Sequence, residues 1–248
     1  MIEKDKIKLL AFDADDTLWD CQSHFDAVEK EYQSILSDYG TATEISSRLF
    51  ETETANMPLL GYGCKAFVLS LIENAISISN GELSANKIGQ ILNCGKKLLN
   101  MPATPLQGVR CVLETLNNVQ RKYKMVVFTK GELLDQENKL RRSGLQSFFD
   151  ATIVVSDKTS DEYEYLCKRF NCSVNELVMV GNSFRSDIAP VLELGGNAIY
   201  VPSKTLWQHE YIDEYDHTNL VTVSEISDIL PVSYTHLRAH ETGRNIVC

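Results

Sequence analysis

Short apolar runs recur along the chain at residues 7–12, 125–128, 152–155, 177–180 and 198–201, and each is followed by polar residues. Runs of this length, apolar at nearly every position apart from Lys8 and Thr152, suit strands buried on both faces of a parallel sheet. Helical spacing of apolar residues covers 133–142 and 160–170 between the later runs. Strands alternating with such helices predict βαβ units and an α/β, doubly wound, mainly parallel sheet. One interval breaks the rhythm. From about residue 21 to 99 no strand pattern occurs, and helical patterns span 25–39, 43–54, 65–79 and 84–99. Pro58 and Asn80-Gly81 punctuate this stretch, and Pro102 and Pro105 mark its exit. The expected division is an α/β core of residues 1–19 and 103–231, with a small all-helical cap of residues 20–102 inserted after the first strand.

The end of the chain stands apart. Val232 to Thr242 reads Val-Ser-Tyr-Thr-His-Leu-Arg-Ala-His-Glu-Thr and resembles a frame translation of a transposon-based sequencing-library adapter. Residues 232–248 are therefore expected to be a non-native tail that packs poorly and carries no function, and are set aside for the fold. Without them 22 basic and 33 acidic residues remain, a formal charge of −11 against −10 for the whole chain.

Composition narrows the classes. The 248 residues suffice for one large domain or one domain with an insert. The acidic balance argues against a nucleic-acid partner, whose phosphates need basic patches. It also means that a phosphate ester could bind only with local help from a metal or a few lysines. The seven cysteines are scattered, with no C-x-x-C pair and no zinc-like spacing to histidine. Cys167 and Cys172, the closest pair, read as ordinary helix and turn residues. The apolar run at 7–12 is too short for a signal core or a membrane span. A cytoplasmic protein without a membrane partner is the expectation. Oligomeric state is left open.

Ligands of open parallel sheets bind beyond the carboxyl ends of the strands. The first strand is followed by Asp13 and Asp15, within Phe12-Asp13-Ala14-Asp15-Asp16-Thr17-Leu18. The second is followed by Thr129-Lys130-Gly131, the third by Lys158, and the fourth by Gly181-Asn182 and then Asp187. These four segments, in this order, resemble the four motifs of the haloacid dehalogenase-like (HAD) superfamily, and the D-x-D-x-T of the first is the most discriminating. The resemblance spans Asp13 to Asp187 and implies a Rossmann-like core with a helical cap. It also implies a Mg2+-dependent hydrolase of small phosphomonoesters working through an aspartyl-phosphate.

On that resemblance Asp13 is the nucleophile, and Asp15 is the general acid and base. Neighbouring carboxylates push each other's pKa apart, which allows two roles from one residue type. The metal would take the Asp13 side chain, the Asp15 backbone carbonyl and the Asp187 side chain. Thr129, Lys130, Gly131 and Lys158 would hold the phosphate, with Lys130 a rival of Lys158 for the phosphate lysine. Asn182 stands where the family's commonest pattern has an aspartate. It keeps an oxygen but loses a charge, and could orient a metal-bound water or Asp187. Asp15 also favours phosphoryl chemistry over dehalogenation, since a leaving halide needs no proton.

Specificity is expected from the cap and its surroundings. Trp19 could line the entrance or pack at a hinge. Tyr62 and Lys65 sit in the glycine-rich segment Leu59-Leu60-Gly61-Tyr62-Gly63-Cys64-Lys65. Lys65 is also the only candidate for the Schiff-base lysine of phosphonate-cleaving members, against which Asp15 argues. His209 lies in Trp207-Gln208-His209-Glu210, which resembles a recurrent feature of one branch of the family. Arg185 could contact phosphate. Two other readings share these motifs: a phosphomutase acting on a sugar phosphate, and a non-catalytic HAD-fold binding protein.

Overall fold

The computed structural model describes residues 4–118 and 121–230; the tail assigned above, residues 232–248, lies outside them. Six strands, β1 (Leu9–Phe12), β2 (Lys124–Lys130), β3 (Ala151–Val155), β4 (Leu177–Gly181), β5 (Asn197–Tyr200) and β6 (Leu220–Thr222), form one parallel sheet. Their order is β3-β2-β1-β4-β5-β6, with β1 near the centre. All four residues of β1 are buried. Leu10 and Phe12 enter one core cluster, whereas Leu9 and Ala11 enter the cluster on the opposite face. That explains the unbroken apolar runs: alternate side chains point to opposite sides, and both sides are covered.

Helices α5 (Val109–Asn118), α6 (Leu133–Ser143), α7 (Ser160–Arg169) and α8 (Ala189–Glu193) belong to this core. Two elements go beyond the expected set. Strand β6 has three residues, none fully buried, so it leaves almost no apolar run. Helix α5 places Val109, Val112, Leu113 and Leu116 in the core at helical spacing. Strand β2 is also longer than expected and takes in Thr129 and Lys130.

Helices α1 (Gln22–Ile35), α2 (Ala42–Leu60), α3 (Cys64–Ile78) and α4 (Ala85–Leu99) fill the interval between β1 and α5. They enclose a separate apolar cluster that includes Tyr32, Leu49, Leu71 and Ile91. A capping box between Thr41 and Glu44 starts α2. Pro58, expected to break the pattern, lies inside α2. It falls in the last turn, where the hydrogen bond that proline removes costs little cooperative structure. The helix then ends at Gly61, whose φ of +68° suits glycine.

The two chain crossings between sheet and helices run side by side. Trp19 bridges to Asp15 and to Pro105, and the Asp20 amide donates to the Thr104 carbonyl at 3.3 Å. Among the described residues no helix is long and apolar enough to cross a membrane.

Candidate active site

Register brings the motifs to one edge of the sheet. Phe12 pairs with Val127 on β2 and with Val180 on β4, so the residues after these strands emerge together. Asp13 is the first residue past β1, and its amide donates to the Val180 carbonyl at 2.8 Å. This bond ties it to the seam between β1 and β4. Asp16 then adopts a left-handed φ of +61°. Its carboxylate accepts from the amides of Cys21 (2.9 Å) and Gln22 (3.0 Å), which are free donors at the start of α1. One loop therefore presents Asp13 and launches the helical insert.

Asp187 comes from a single π-helical turn, Phe184–Ile188, after β4. Its Oδ2 accepts from the Ser183 amide at 3.0 Å. A Cβ at Gly181 would lie 2.2 Å from that Oδ2, so glycine is required for Asp187 to occupy this place. Lys158, 3% exposed, reaches in after β3. Its Nζ lies 2.5 Å from Asp13 Oδ1 and 2.6 Å from Asp187 Oδ1. Burial and then Asp187 push the Asp13 carboxyl up to about 7, against the opposing charge of Lys158. Burial favours a neutral Lys158, but Asp13 and Asp187 outweigh it and hold the ammonium above its ordinary range.

Asn182 lies beside this group. With its amide nitrogen facing the surrounding acceptors, its two N–H groups are in reach of Asp13 Oδ2 (3.2 Å), the Asp15 carbonyl (3.1 Å) and Thr17 Oγ1 (2.9 Å). Thr17 Oγ1 in turn donates to Asp13 Oδ2 at 3.2 Å. Asn182 thus spans two of the oxygens expected to face a metal.

A divalent cation fits this donor set. Two buried carboxylates share one ammonium, which leaves one negative charge uncompensated where burial is costly. The oxygens of Asp13 and Asp187 and the Asp15 carbonyl are hard ligands of the kind magnesium takes. Among the described residues no group of three or more His, Cys, Asp or Glu side chains is placed to hold a metal, so the fit rests on two carboxylates and a main-chain oxygen.

Asp15 has different surroundings. Oδ1 accepts from the Trp19 indole at 2.8 Å, Oδ2 accepts from the Gln136 amide at 2.8 Å, and Lys139 Nζ lies 3.1 Å from both oxygens. Burial alone would raise its pKa. The Lys139 charge and the donors of Gln136 and Trp19 overcome burial and hold the carboxyl below its ordinary range. The two aspartates are thus pushed apart, but not chiefly by each other: burial and Asp187 raise Asp13, whereas Lys139, Gln136 and Trp19 lower Asp15, the direction that favours its carboxylate rather than its acid form. Lys139 itself is 2% exposed and also contacts Asp135 at 3.2 Å.

Lys130 belongs to a third ionic group. It pairs with Glu210, donates to Ser186 Oγ at 2.8 Å and lies 4.1 Å from the centre of the Tyr62 ring. Glu210 also accepts from the hydroxyls of Ser183 and Ser186. Its pKa falls below the ordinary range because Lys130 and these donors outweigh burial.

These groups line a cleft of about 1120 Å³, counted out to its open mouth, between the strand ends and the helical insert. Asp13, Asp15, Tyr62, Thr129, Lys130, Gly131, Lys158, Asn182 and Asp187 all border it. Several expected roles change. Trp19 does not line the cleft; it is fully buried at the hinge, where its indole grips Asp15. Lys65 is exposed and paired with Glu132, outside the lining. His209 stacks on Phe50 at 4.1 Å and packs edge-on against Trp207, so its ring is a contact between core and insert rather than part of the wall. The Gly131 amide donates to the Val155 carbonyl at 3.1 Å and is not free for a phosphate oxygen. Arg185 donates to the His209 carbonyl.

Lys139, Gln136, Asp135 and Glu210 went unassigned in the sequence. Asp135 and Lys139 are four apart on α6 and look like an exposed helical ion pair; only packing against the hinge buries them. Glu210 has no local signal, because its partners lie 24 to 80 residues away.

An aspartate after β1, a lysine after β3 and an aspartate after β4, beneath a helical insert, define a class. Residues 7–195 match the haloacid dehalogenase-like hydrolase family, and the chain belongs to it. The chain is 26% identical over 239 residues to the glyceraldehyde 3-phosphate phosphatase of Methanothermobacter thermautotrophicus, an alignment covering 90% of this chain and all of that one. It is also 26% identical to the glyceraldehyde 3-phosphate phosphatase of Methanocaldococcus jannaschii, over 90% of this chain and 97% of that one. A solved haloacid dehalogenase-like family hydrolase from Xanthomonas campestris superposes with a TM-score of 0.82 at 33% identity, covering 92% of this chain and 90% of that chain.

Proposed function

We propose that the protein hydrolyses a small phosphomonoester through an aspartyl-phosphate on Asp13. The observation carrying this reading is the Lys158 ammonium set between Asp13 Oδ1 and Asp187 Oδ1 on the cleft floor. The phosphatases named above, similar along nearly their whole length, support the reaction class. In this reading residues 1–19 and 103–231 form the catalytic core and residues 20–102 act as its cap. Cytoplasmic activity on a small phosphorylated metabolite remains part of the proposal.

Asp13 attacks phosphorus; the P–O ester bond breaks, and its electron pair leaves on the alcohol oxygen. Asp15 gives that oxygen a proton. Water then attacks phosphorus and loses a proton to Asp15, releasing inorganic phosphate and restoring Asp13. Mg2+ held by Asp13, Asp187 and the Asp15 carbonyl would supply positive charge that draws phosphate and nucleophile together. Lys158 lowers the repulsion between the anionic nucleophile and the anionic ester. Thr129 lines the cleft beside it and is 2% exposed, placed to donate to a phosphoryl oxygen. Asp15 suits the base role directly, since its four donor contacts favour the carboxylate. Acting as acid requires it to take a proton against Lys139, which makes the Lys139 contact a control point of the cycle.

The test is phosphate release from a panel of phosphomonoesters with and without Mg2+, for the wild type and Asp13→Asn. Mg2+-dependent release that disappears in the folded variant is expected. Release by a folded Asp13→Asn variant at the wild-type rate would refute the nucleophile assignment. Isomer formation in place of free phosphate would point to the mutase reading.

A further inference from the structure

The cleft has a lopsided charge. Eight carboxylates and three lysines line it, and no arginine does. All three lysines come from the core, and each is already engaged: Lys158 by Asp13 and Asp187, Lys139 by Asp15 and Asp135, and Lys130 by Glu210. The wall supplied by the helical insert contains no cation among the described residues. Its apolar surface comes from Phe25, Met57, Leu60 and Phe67. Its neutral polar groups include Asn56 and Ser70, whose side chains hydrogen-bond at 3.1 Å. Lys65, the basic residue nearest this wall in sequence, is exposed and spent on Glu132.

We infer that this cleft selects monophosphate esters of uncharged alcohols and turns away esters whose leaving group carries a carboxylate or a second phosphate. The inference rests on the phosphatase reading above and adds the substrate class. A phosphoryl group placed at Asp13 puts the rest of the ester against the insert wall. An anion there would lose water without gaining a counter-charge, and it would face the carboxylates on the floor. A hydroxyl-bearing carbon chain loses less. Its CH faces meet Phe25, Met57 and Phe67, and a hydroxyl can donate to the amide oxygen of Asn56, whose nitrogen is held by Ser70 and Glu73 while the Ser70 hydroxyl donates to the Ala66 carbonyl. An ammonium group has only Glu53 on that wall, and Glu53 is turned toward His209, 3.9 Å from its Nε2. No dedicated cation box is built there.

The test measures kcat/KM for phosphate release from three esters on one three-carbon skeleton, differing only at the far carbon: hydroxymethyl, carboxylate and aminomethyl. An aryl phosphate serves as control. The hydroxymethyl ester is expected to exceed the carboxylate ester by roughly tenfold or more, since an uncompensated like charge in a desolvated site is strongly disfavoured. Asn56→Arg and Met57→Lys each add a cation to the wall. Either one, once shown to be folded by its melting curve, should raise turnover of the carboxylate ester relative to the hydroxymethyl ester. A wild-type protein that hydrolyses the carboxylate or aminomethyl ester as well as the hydroxymethyl ester overturns the inference and leaves the phosphatase reading standing. Absence of release from all four esters, the aryl phosphate included, overturns both.

Discussion

Lys139 Nζ lies 3.1 Å from each carboxylate oxygen of Asp15 and is almost completely buried. The same ammonium meets Asp135, whose Oδ2 accepts from the Cys64 thiol at the start of α3, 3.6 Å away. A continuous path thus runs from the helical insert to Asp15. Lys139→Met would strand two carboxylates, and breaking a buried pair costs about 3–5 kcal/mol. The variant is expected to melt lower and to slow aryl phosphates more than alkyl phosphates: without the Lys139 charge Asp15 is a weaker candidate for the carboxylate base that both esters need, while the protonated form that only an alkyl leaving group depends on becomes easier to reach. Lys139→Arg should recover part of both properties. Equal slowing of the two ester types would assign Lys139 to folding alone.

Lys158 and Lys130 were rivals for the phosphate. Lys158 contacts Asp13 directly, whereas Lys130 is engaged by Glu210 and Ser186. Lys158→Met is expected to lower kcat by roughly 100- to 1000-fold, the range for losing one preorganised donor. Lys130→Met should cost a smaller factor. Steady-state kinetics of the two variants check the order, and the reverse ranking would move the phosphate site toward Lys130.

Mg2+ should stabilise the fold as well as support turnover. A cation that neutralises the charge left by Asp13, Asp187 and Lys158 binds the folded chain selectively. At a hundredfold excess over its Kd the gain is about 2.7 kcal/mol. Melting temperature should therefore rise with Mg2+ in the wild type and stay flat in Asp187→Asn. The same rise in both proteins would place the metal elsewhere.

Glu53 links pH to the contact between the insert and the core. Burial, with Glu29 adding to it, pushes its carboxyl up to about 7. Since the folded value lies above the ordinary 4.5, its contribution to stability is fully present below pH 4.5. That contribution falls as pH rises toward 7. Glu53→Gln should gain on the wild type in thermal melts across this window and hold a constant advantage above it. Parallel melting curves from pH 4.5 to 7.5 would show that Glu53 carries no such linkage.

Much of this protein could be read from local pattern. A strand covered on both faces must be apolar throughout, so five of the six strands showed themselves as runs, and the polar residues after them named Asp13, Asp15, Thr129, Lys158 and Asp187. The helical insert was legible because helical spacing repeats over long stretches. Tertiary packing decided the rest. Trp19 reads in sequence equally as an entrance or a hinge residue, and only packing against Asp15 decides for the hinge. The Asp135 and Lys139 pair carries the spacing of a solvent-facing ion pair, and Glu210 meets its partners only when the segment after β5 folds back over β4. Spacing along a chain records which face a side chain shares with its near neighbours. Which distant charge it meets, and whether water is excluded there, depends on how the elements pack, and that set the opposite pKa shifts of Asp13 and Asp15 and the cation-free wall opposite them.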